Sequence, residues 1–241
     1  MINRNLFILS VGQIFSFTSP VVSILLSGII GSSMTNINYL ATLPTALMIV
    51  GTAFGSIIAS KIMKINGRKF GFSLAAIINS LFSLFCAYAI LIDSFNFFCF
   101  GNLIIGFSVA FAQQYRFAAS ESVLKTNIPK AISLILLLGI VASLLGANIV
   151  TVTKDFHYTT YVGSYIAMSF LTIIPFFFFI FYKNEEKIES NIIKSQKSIF
   201  ELLSNKNIQL SILSAGIGYT TMSTLMTATP LSMNMMHGFT L

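Results

Sequence analysis

Residues 131–153 read AISLILLLGIVASLLGANIVTVT, a run of 23 residues without one charged side chain. An α-helix of that length is about 34 Å long, enough to cross a hydrocarbon core of about 30 Å. Comparable apolar runs lie at about 6–30, 39–60, 71–92, 96–118, 161–182 and 208–231. No run shows the roughly ten-residue alternation of a barrel strand. The sequence therefore predicts an all-α polytopic membrane protein with seven transmembrane helices.

The overall composition supports a lipid environment. Of the 241 residues, 55% are apolar and only 9% are charged, whereas a soluble domain carries about a quarter charged residues. This composition excludes an ordinary soluble globule. The 14 basic residues lie in short gaps between the apolar runs, so they do not form the clustered patch of a nucleic-acid-binding domain. The predicted partner is the lipid bilayer, and no nucleic acid is expected.

No pattern of residues predicts catalysis or a cofactor. Cys86 and Cys99 lie in or beside apolar runs without the spacing of a metal site or a redox motif. Both histidines lie outside the apolar runs, and the motifs HExxH and GxSxG do not occur. We therefore expect no enzyme activity, no metal and no cofactor.

The basic residues also predict the orientation of the chain. Thirteen of the fourteen lie at the N-terminus or in the second, fourth and sixth gaps between the runs, and Lys154 is the exception. Since basic loops remain in the cytoplasm, we expect a cytoplasmic N-terminus in the cytoplasmic, or inner, membrane. An odd number of spans would place Leu241 on the other side.

The sixth gap differs from the others in length and polarity. Residues 183–207 are rich in charged and polar side chains, with isolated apolar positions. They fit either a solvated linker or an amphipathic helix on the membrane surface around 195–204. In both interpretations the gap divides the chain into a six-helix bundle at 1–182, a cytoplasmic linker at 183–207 and one further helix within 208–241.

The second gap carries a recognisable motif. Residues 59–72 read ASKIMKINGRKFGF. The triplet Gly67, Arg68 and Lys69 resembles the loop between helices two and three of the major facilitator superfamily (MFS) of transporters. In a bacterial subgroup of that family, the loop reads roughly A-S-x-x-M-x-x-x-G-R-R-x-G-F, which this segment follows closely.

Three other stretches carry the same resemblance. Residues 40–56, 110–122 and 225–233 are similar to the second, fourth and seventh helices of that subgroup. The chain departs from the wider family pattern at Ser60 and Lys64, where the family has glycine and aspartate. The resemblance to the subgroup implies that the missing aspartate is a trait of that subgroup.

The resemblance implies a secondary transporter that moves a small solute by alternating access between two six-helix halves. The chain corresponds to the first half plus helix seven, and is expected to be an N-terminal fragment. A C-terminal half or a second copy of the chain would then be its partner. The alternative is a truncated membrane protein that transports nothing, either a pseudogene product or an interaction fragment.

Charged side chains are scarce in the apolar runs, so the few near the ends of a run are candidates for a functional role. The resemblance implies a cytoplasmic gate built from Gly67, Arg68 and Lys69 with Arg116 and Glu121. In this hypothesis Arg68 pairs with Glu121, and Arg116 bridges neighbouring helices. The alternative is that Arg116 only extends to the membrane interface.

Uncharged polar residues within the runs are candidates for the solute cavity. We select Gln13, Gln113 and Gln114, whose amides suit a neutral or zwitterionic solute; hydrogen bonds between helices explain any one of these residues without a ligand. Gly139 and Gly146 lie seven residues apart and resemble a glycine motif in the family's fifth helix. Close packing between helices is the expected role of both glycines.

Overall fold

The structure, a computed structural model, describes residues 3–35, 37–156, 158–184 and 204–237. These residues are mostly helical and contain no strand, so the all-α prediction is confirmed. The helices are α1 (Arg4–Ser16), α2 (Thr18–Met34), α3 (Leu43–Leu91), α4 (Phe95–Ala112), α5 (Tyr115–Glu121), α6 (Ile128–Thr153), α7 (Val162–Phe179) and α8 (Lys206–His237). Short 3₁₀ turns precede α3 and α6.

Five helical stretches are long and apolar enough to cross a membrane: Arg4–Met34, Leu43–Leu91, Phe95–Glu121, Lys125–Thr153 and Val162–Phe179. They contain six of the seven predicted spans, because α3 holds two of them. Its 49 residues leave helical geometry at Gly67. Beyond that bend Gly71 lies against the side chain of Met63, so the second part of α3 folds back along the first. The prediction of a polytopic membrane protein is confirmed.

The seventh predicted span, 208–231, forms the long helix α8. This helix has the length of a membrane span, but it is not among the stretches whose hydropathy is high enough. Threonine and serine side chains along α8 lower its apolar content. Six of the seven predicted spans are thus both long enough and apolar enough to cross a membrane. The seventh is long enough but less apolar.

Two of the predicted spans are broken into two helices. The first span breaks at Phe17, three residues before Pro20. Proline has no N–H to donate to the carbonyl of Ser16, and its ring crowds that carbonyl. The fourth span breaks at Gln113 and Gln114, between α4 and α5.

The buried side chains form two clusters, one towards each end of the bundle. We call one the basic end; it holds the N-terminus, the Gly67 bend, the end of α5 and the residues that follow α7. Aromatic rings fill the cluster there, with Phe72 packed edge-on against Tyr115 and Tyr182. The cluster at the opposite end includes Phe98 and Tyr165.

Of the predicted linker 183–207, the structure describes residues 183, 184 and 204–207. The amphipathic helix proposed around 195–204 therefore lies almost wholly outside the described residues. The division of the chain at this linker stays a prediction.

Candidate functional site

The Gly67 bend requires glycine for two reasons. Its backbone has φ +83° and ψ +163°, a combination essentially limited to glycine. A Cβ at this position would also collide with the side-chain amide of Asn184. That amide is held in place because its Oδ1 accepts a hydrogen bond from the backbone N–H of Lys69, at 2.9 Å.

Beside this bend, Arg68 and Glu121 form a two-point ion pair. The Nε of Arg68 donates to Oε2 of Glu121 at 2.8 Å, and its Nη2 donates to Oε1 at 2.6 Å. The Arg68 side chain is 22% exposed and that of Glu121 53% exposed. Parallel guanidinium–carboxylate bonds are both strong and directional. The pair therefore fixes the bend in α3 to the end of α5.

Three N-terminal residues make further hydrogen-bonded contacts at the same end of the bundle. The amide of Asn3 donates to the carbonyl of Ser122, and its Oδ1 caps α1 by accepting from the N–H of Leu6 at 2.8 Å. Arg4 donates from Nη2 to the carbonyl of Phe181 at 2.6 Å. The start of the chain is thereby bound to the segments that follow α5 and α7.

Asn5 makes the third of these contacts, through two hydrogen bonds to one residue. Its Nδ2 donates to the carbonyl of Lys183 at 2.9 Å, and its Oδ1 accepts from the N–H of Lys183 at 3.2 Å. The residue after Lys183 is Asn184, which holds the Gly67 bend. The N-terminus, the exit from α7 and the α3 bend are thus connected by consecutive hydrogen bonds. We name this set of contacts, from Asn3, Arg4, Asn5, Arg68 and Asn184, the clasp.

The clasp accounts for some of the predicted gate residues but not for all. Gly67, Arg68, Lys69 and Glu121 take part in it, Lys69 through its backbone. Arg116 is exposed, and its guanidinium carbon lies 5.1 Å from the centre of the adjacent Phe117 ring. The structure therefore does not bring Arg116 to the Arg68–Glu121 pair.

The three candidate cavity residues lie at the two helix breaks. Gln13 is only 4% exposed and lies in the last turns of α1, while Gln113 and Gln114 are half-buried between α4 and α5. The two breaks are neighbours, because the hydroxyls of Ser16 and Tyr115 are 3.0 Å apart. Gln13 also approaches α6, with Nε2 at 3.5 Å from where a Cβ of Gly139 would lie.

The two glycines of α6 have different surroundings. A Cβ on Gly146 would lie 3.0 Å from Cγ1 of Val21 and 3.4 Å from the carbonyl of Thr18, so α6 packs closely on α2 there. Gly139 has no neighbour nearer than the Gln13 amide. Close helix packing is therefore observed at Gly146, whereas Gly139 leaves room beside Gln13.

Polar contacts also join neighbouring helices inside the bundle. Ser19 donates to Oδ1 of Asn79 at 2.9 Å, joining α2 to α3, and Ser27 donates to Oδ1 of Asn102 at 3.2 Å, joining α2 to α4. The amide oxygens of Asn79 and Asn102 are thus used in contacts between helices. Within the described part of the chain, no group of three or more His, Cys, Asp or Glu side chains converges as a metal site would need.

Sequence reasoning missed Asn3, Asn5 and Asn184. One available signal was the position of Asn3, since asparagine directly before a predicted helix favours an N-cap. Each of the other bonds joins an asparagine amide to a backbone atom more than 100 residues away in the sequence. No residue pattern marks such partners.

Comparison with known proteins adds independent information. The chain is 30% identical over 233 residues to the riboflavin transporter RfnT of Brucella anthropi, covering 95% of this chain and 58% of that protein. It is 26% identical over 153 residues to YdeG of Bacillus subtilis, an uncharacterised MFS-type transporter, covering 64% of this chain and 36% of that protein. No family model and no solved structure matches.

The chain spans little more than half the length of the first relative and about a third of the second. The aligned region nevertheless takes in the Gly67 bend, the Arg68–Glu121 pair and the predicted cavity residues, since it covers nearly all of this chain. The resemblance read from residues 59–72 therefore agrees with matches over most of the sequence. These matches over most of the chain support its assignment to the N-terminal part of an MFS transporter.

Proposed function

We propose that the chain forms the first half of a secondary transporter that moves a small uncharged solute across the cytoplasmic membrane by alternating access. The observation that carries this proposal is the clasp. Alternating access needs a half that rocks as one body. The clasp ties the N-terminus, the α3 bend, the end of α5 and the exit from α7 together at one end of the bundle, which supplies that rigidity.

The clasp also suggests how the gate works. Both members of the Arg68–Glu121 pair belong to the same bundle, so their separation does not change when two halves rock against each other. Their role is then to hold the segment around Gly67 in a fixed shape, as one wall of the inner gate. Arg116 lies outside the clasp and fits an interfacial residue that extends to the headgroups.

The amides at the helix breaks support an uncharged solute. Gln13, Gln113 and Gln114 offer donors and acceptors without a net charge, at neighbouring positions where helical bonding is already interrupted. Riboflavin is the first solute to test, because the relative aligned over nearly the whole chain is named as a riboflavin transporter.

The membrane placement and partner complete the proposal. The positive-inside rule places the basic end in the cytoplasm. A second six-helix half would close the solute path, supplied either by further polypeptide or by a second copy of this chain. Lipid would cover the rest of the bundle, including the exposed leucines of α6.

The proposal is tested by uptake. A bacterial strain that neither makes nor imports riboflavin would receive the complete native gene that encodes this chain. We expect growth on low riboflavin and uptake of labelled riboflavin. Arg68→Ala should abolish most of the uptake while the amount of protein in the membrane stays the same, and Arg116→Ala serves as the matched control. Equal uptake by the Arg68→Ala protein would refute the role of the clasp.

A further inference from the structure

The clasp brings two basic residues, Arg4 and Lys183, into one neighbourhood. Nη2 of Arg4 donates to the carbonyl of Phe181 at 2.6 Å, and both polar atoms of the Asn5 side chain bond to the backbone of Lys183. Consecutive residues at the N-terminus thus hold backbone groups that are two residues apart beyond α7. The side chains of Arg4 and Lys183 are both exposed. Like charges gathered in this way repel each other, so their arrangement favours a bound anion.

A third base, Lys69, is bound to the same segment. Its backbone N–H donates to Oδ1 of Asn184 at 2.9 Å, and Asn184 directly follows Lys183 in the chain. The side chain of Lys69 is half-buried. Its charge adds to the positive potential that the other two bases create. We call Arg4, Lys69 and Lys183 the cationic patch.

Within the described ranges, no carboxylate is left to balance the cationic patch. Asp93 and Asp155 lie in the turns that follow α3 and α6, at the opposite end of the bundle. Glu121 lies at the basic end but is already paired with Arg68. The patch is therefore an unbalanced positive surface as far as the described residues show.

Exposed apolar side chains lie directly below the cationic patch, at the end of α7 and on α1. Phe177, Ile180 and Phe181 recur at the three- and four-residue spacing that places side chains on one helical face, and all three are exposed. Phe7 of α1 is exposed beside them, and its ring packs edge-on against α7. Since α7 is among the stretches that are apolar enough to cross a membrane, Lys183 lies at the level of the headgroups and these apolar side chains lie at the level of the acyl chains.

An anionic phospholipid matches both parts of this surface. The cytoplasmic leaflet is rich in such lipids, and basic residues next to a membrane span attract them. We propose that this surface binds an anionic phospholipid of the inner leaflet, with its phosphate between Arg4 and Lys183 and its acyl chains against Phe177 and Phe181. The inference goes beyond the proposed function, because it needs the membrane placement of the basic end but no transport.

A single tryptophan gives a direct probe of this site, because the chain contains none. Phe181→Trp places it beside the cationic patch, at an exposed position whose bond to Arg4 uses only the backbone carbonyl. The chain would be reconstituted in mixed vesicles of phosphatidylcholine and phosphatidylglycerol, in which either lipid carries brominated acyl chains. Bromine quenches a tryptophan that it contacts. We expect the quenching to show at least a fivefold preference for phosphatidylglycerol, since one base near an anionic surface contributes about that factor.

Variants in the same protein test the two exposed bases. Lys183→Gln removes a charge that the clasp does not use and should remove most of the preference. Arg4→Gln can still donate to the Phe181 carbonyl but loses its charge, so it should act in the same way, whereas Arg4→Lys should keep most of the preference. Arg116→Gln is the matched control, because it removes an equal charge from the same end of the bundle but outside the patch. Melting curves of all variants would confirm that they fold.

The outcomes separate this inference from the proposed function. A Phe181→Trp protein without a preference for phosphatidylglycerol overturns the site, and the counter-ions would then be sought in Glu185 and Glu186, which follow in the sequence outside the described residues. An equal loss in Arg116→Gln and Lys183→Gln also overturns it, because that result would reflect only the net charge of the surface. Neither result bears on uptake. If the expected pattern appears while the complete gene gives no uptake, the lipid site stands and the transport proposal falls.

Discussion

Replacing Gly67 by alanine should measurably destabilise the bundle. At φ +83° and ψ +163°, a residue with a Cβ costs about 1–3 kcal/mol. The new methyl group also collides with the amide of Asn184. Asn184 must then withdraw and lose its bond to the Lys69 N–H, which costs about 0.5–1.5 kcal/mol more. The sum is about 2–4 kcal/mol.

Thermal unfolding in detergent would measure this loss. For a chain of this length, each kcal/mol lowers Tm by about 2–4 °C, so Gly67→Ala should lower Tm by roughly 5–15 °C. Gly218→Ala is the matched control, since a Cβ there has no neighbour within 4 Å and alanine favours the helix. Asn184→Ala should cost only the hydrogen bond. In a protein that already carries Asn184→Ala, adding Gly67→Ala should lower the free energy of unfolding by the backbone cost alone. A Gly67→Ala protein that melts like the wild type would refute this account of the bend.

Three further predictions concern packing, charge and topology. Gly146→Val should lower Tm, since overpacking against Val21 costs about 1–3 kcal/mol, whereas Gly139→Ala should leave Tm nearly unchanged; equal shifts would contradict the different surroundings of these glycines. Glu121→Gln should lower the unfolding free energy by at most about 1 kcal/mol, because its pair is partly exposed, and a larger loss in denaturant titration would mean that the pair is more shielded than its exposure indicates. A reporter that is active only outside the cytoplasm should be active when fused after Thr35 and inactive after Gly67, and the reverse pattern would overturn the orientation.

The sequence was sufficient for the membrane helices because a span depends on local composition and length. The run at 131–153 needs no partner to be recognised, and it became α6. Composition marks the seventh predicted span, 208–231, less strongly, because hydroxyl-rich turns lie between its apolar residues and keep α8 below the hydropathy of the other spans. The break at Phe17 is local in the same way, because the missing N–H of Pro20 interrupts helical bonding whatever surrounds it.

The site was only partly predictable because its contacts join distant segments. Arg68 and Glu121 were paired in advance since charges near the spans are scarce and the resemblance singled out the loop. Gly139 and Gly146 look alike in sequence, and only the neighbouring helices distinguish them. The bonds made by Asn5 and Asn184 depend on how α7 ends beside the α3 bend, which is a property of the assembled bundle.

In each contact of the clasp made by Asn3, Arg4 or Asn5, one residue is constrained in its side chain and the other only in its backbone. Asn3, Arg4 and Asn5 contribute side chains, but Ser122, Phe181 and Lys183 contribute only backbone atoms. Substitution at the three backbone positions should therefore be tolerated as far as the clasp is concerned, apart from proline at 183, whose missing N–H would remove one bond to Asn5. In a library of random substitutions, the asparagines at 3, 5 and 184 should tolerate few replacements, while the exposed positions 181 and 183 should accept a wide range of side chains.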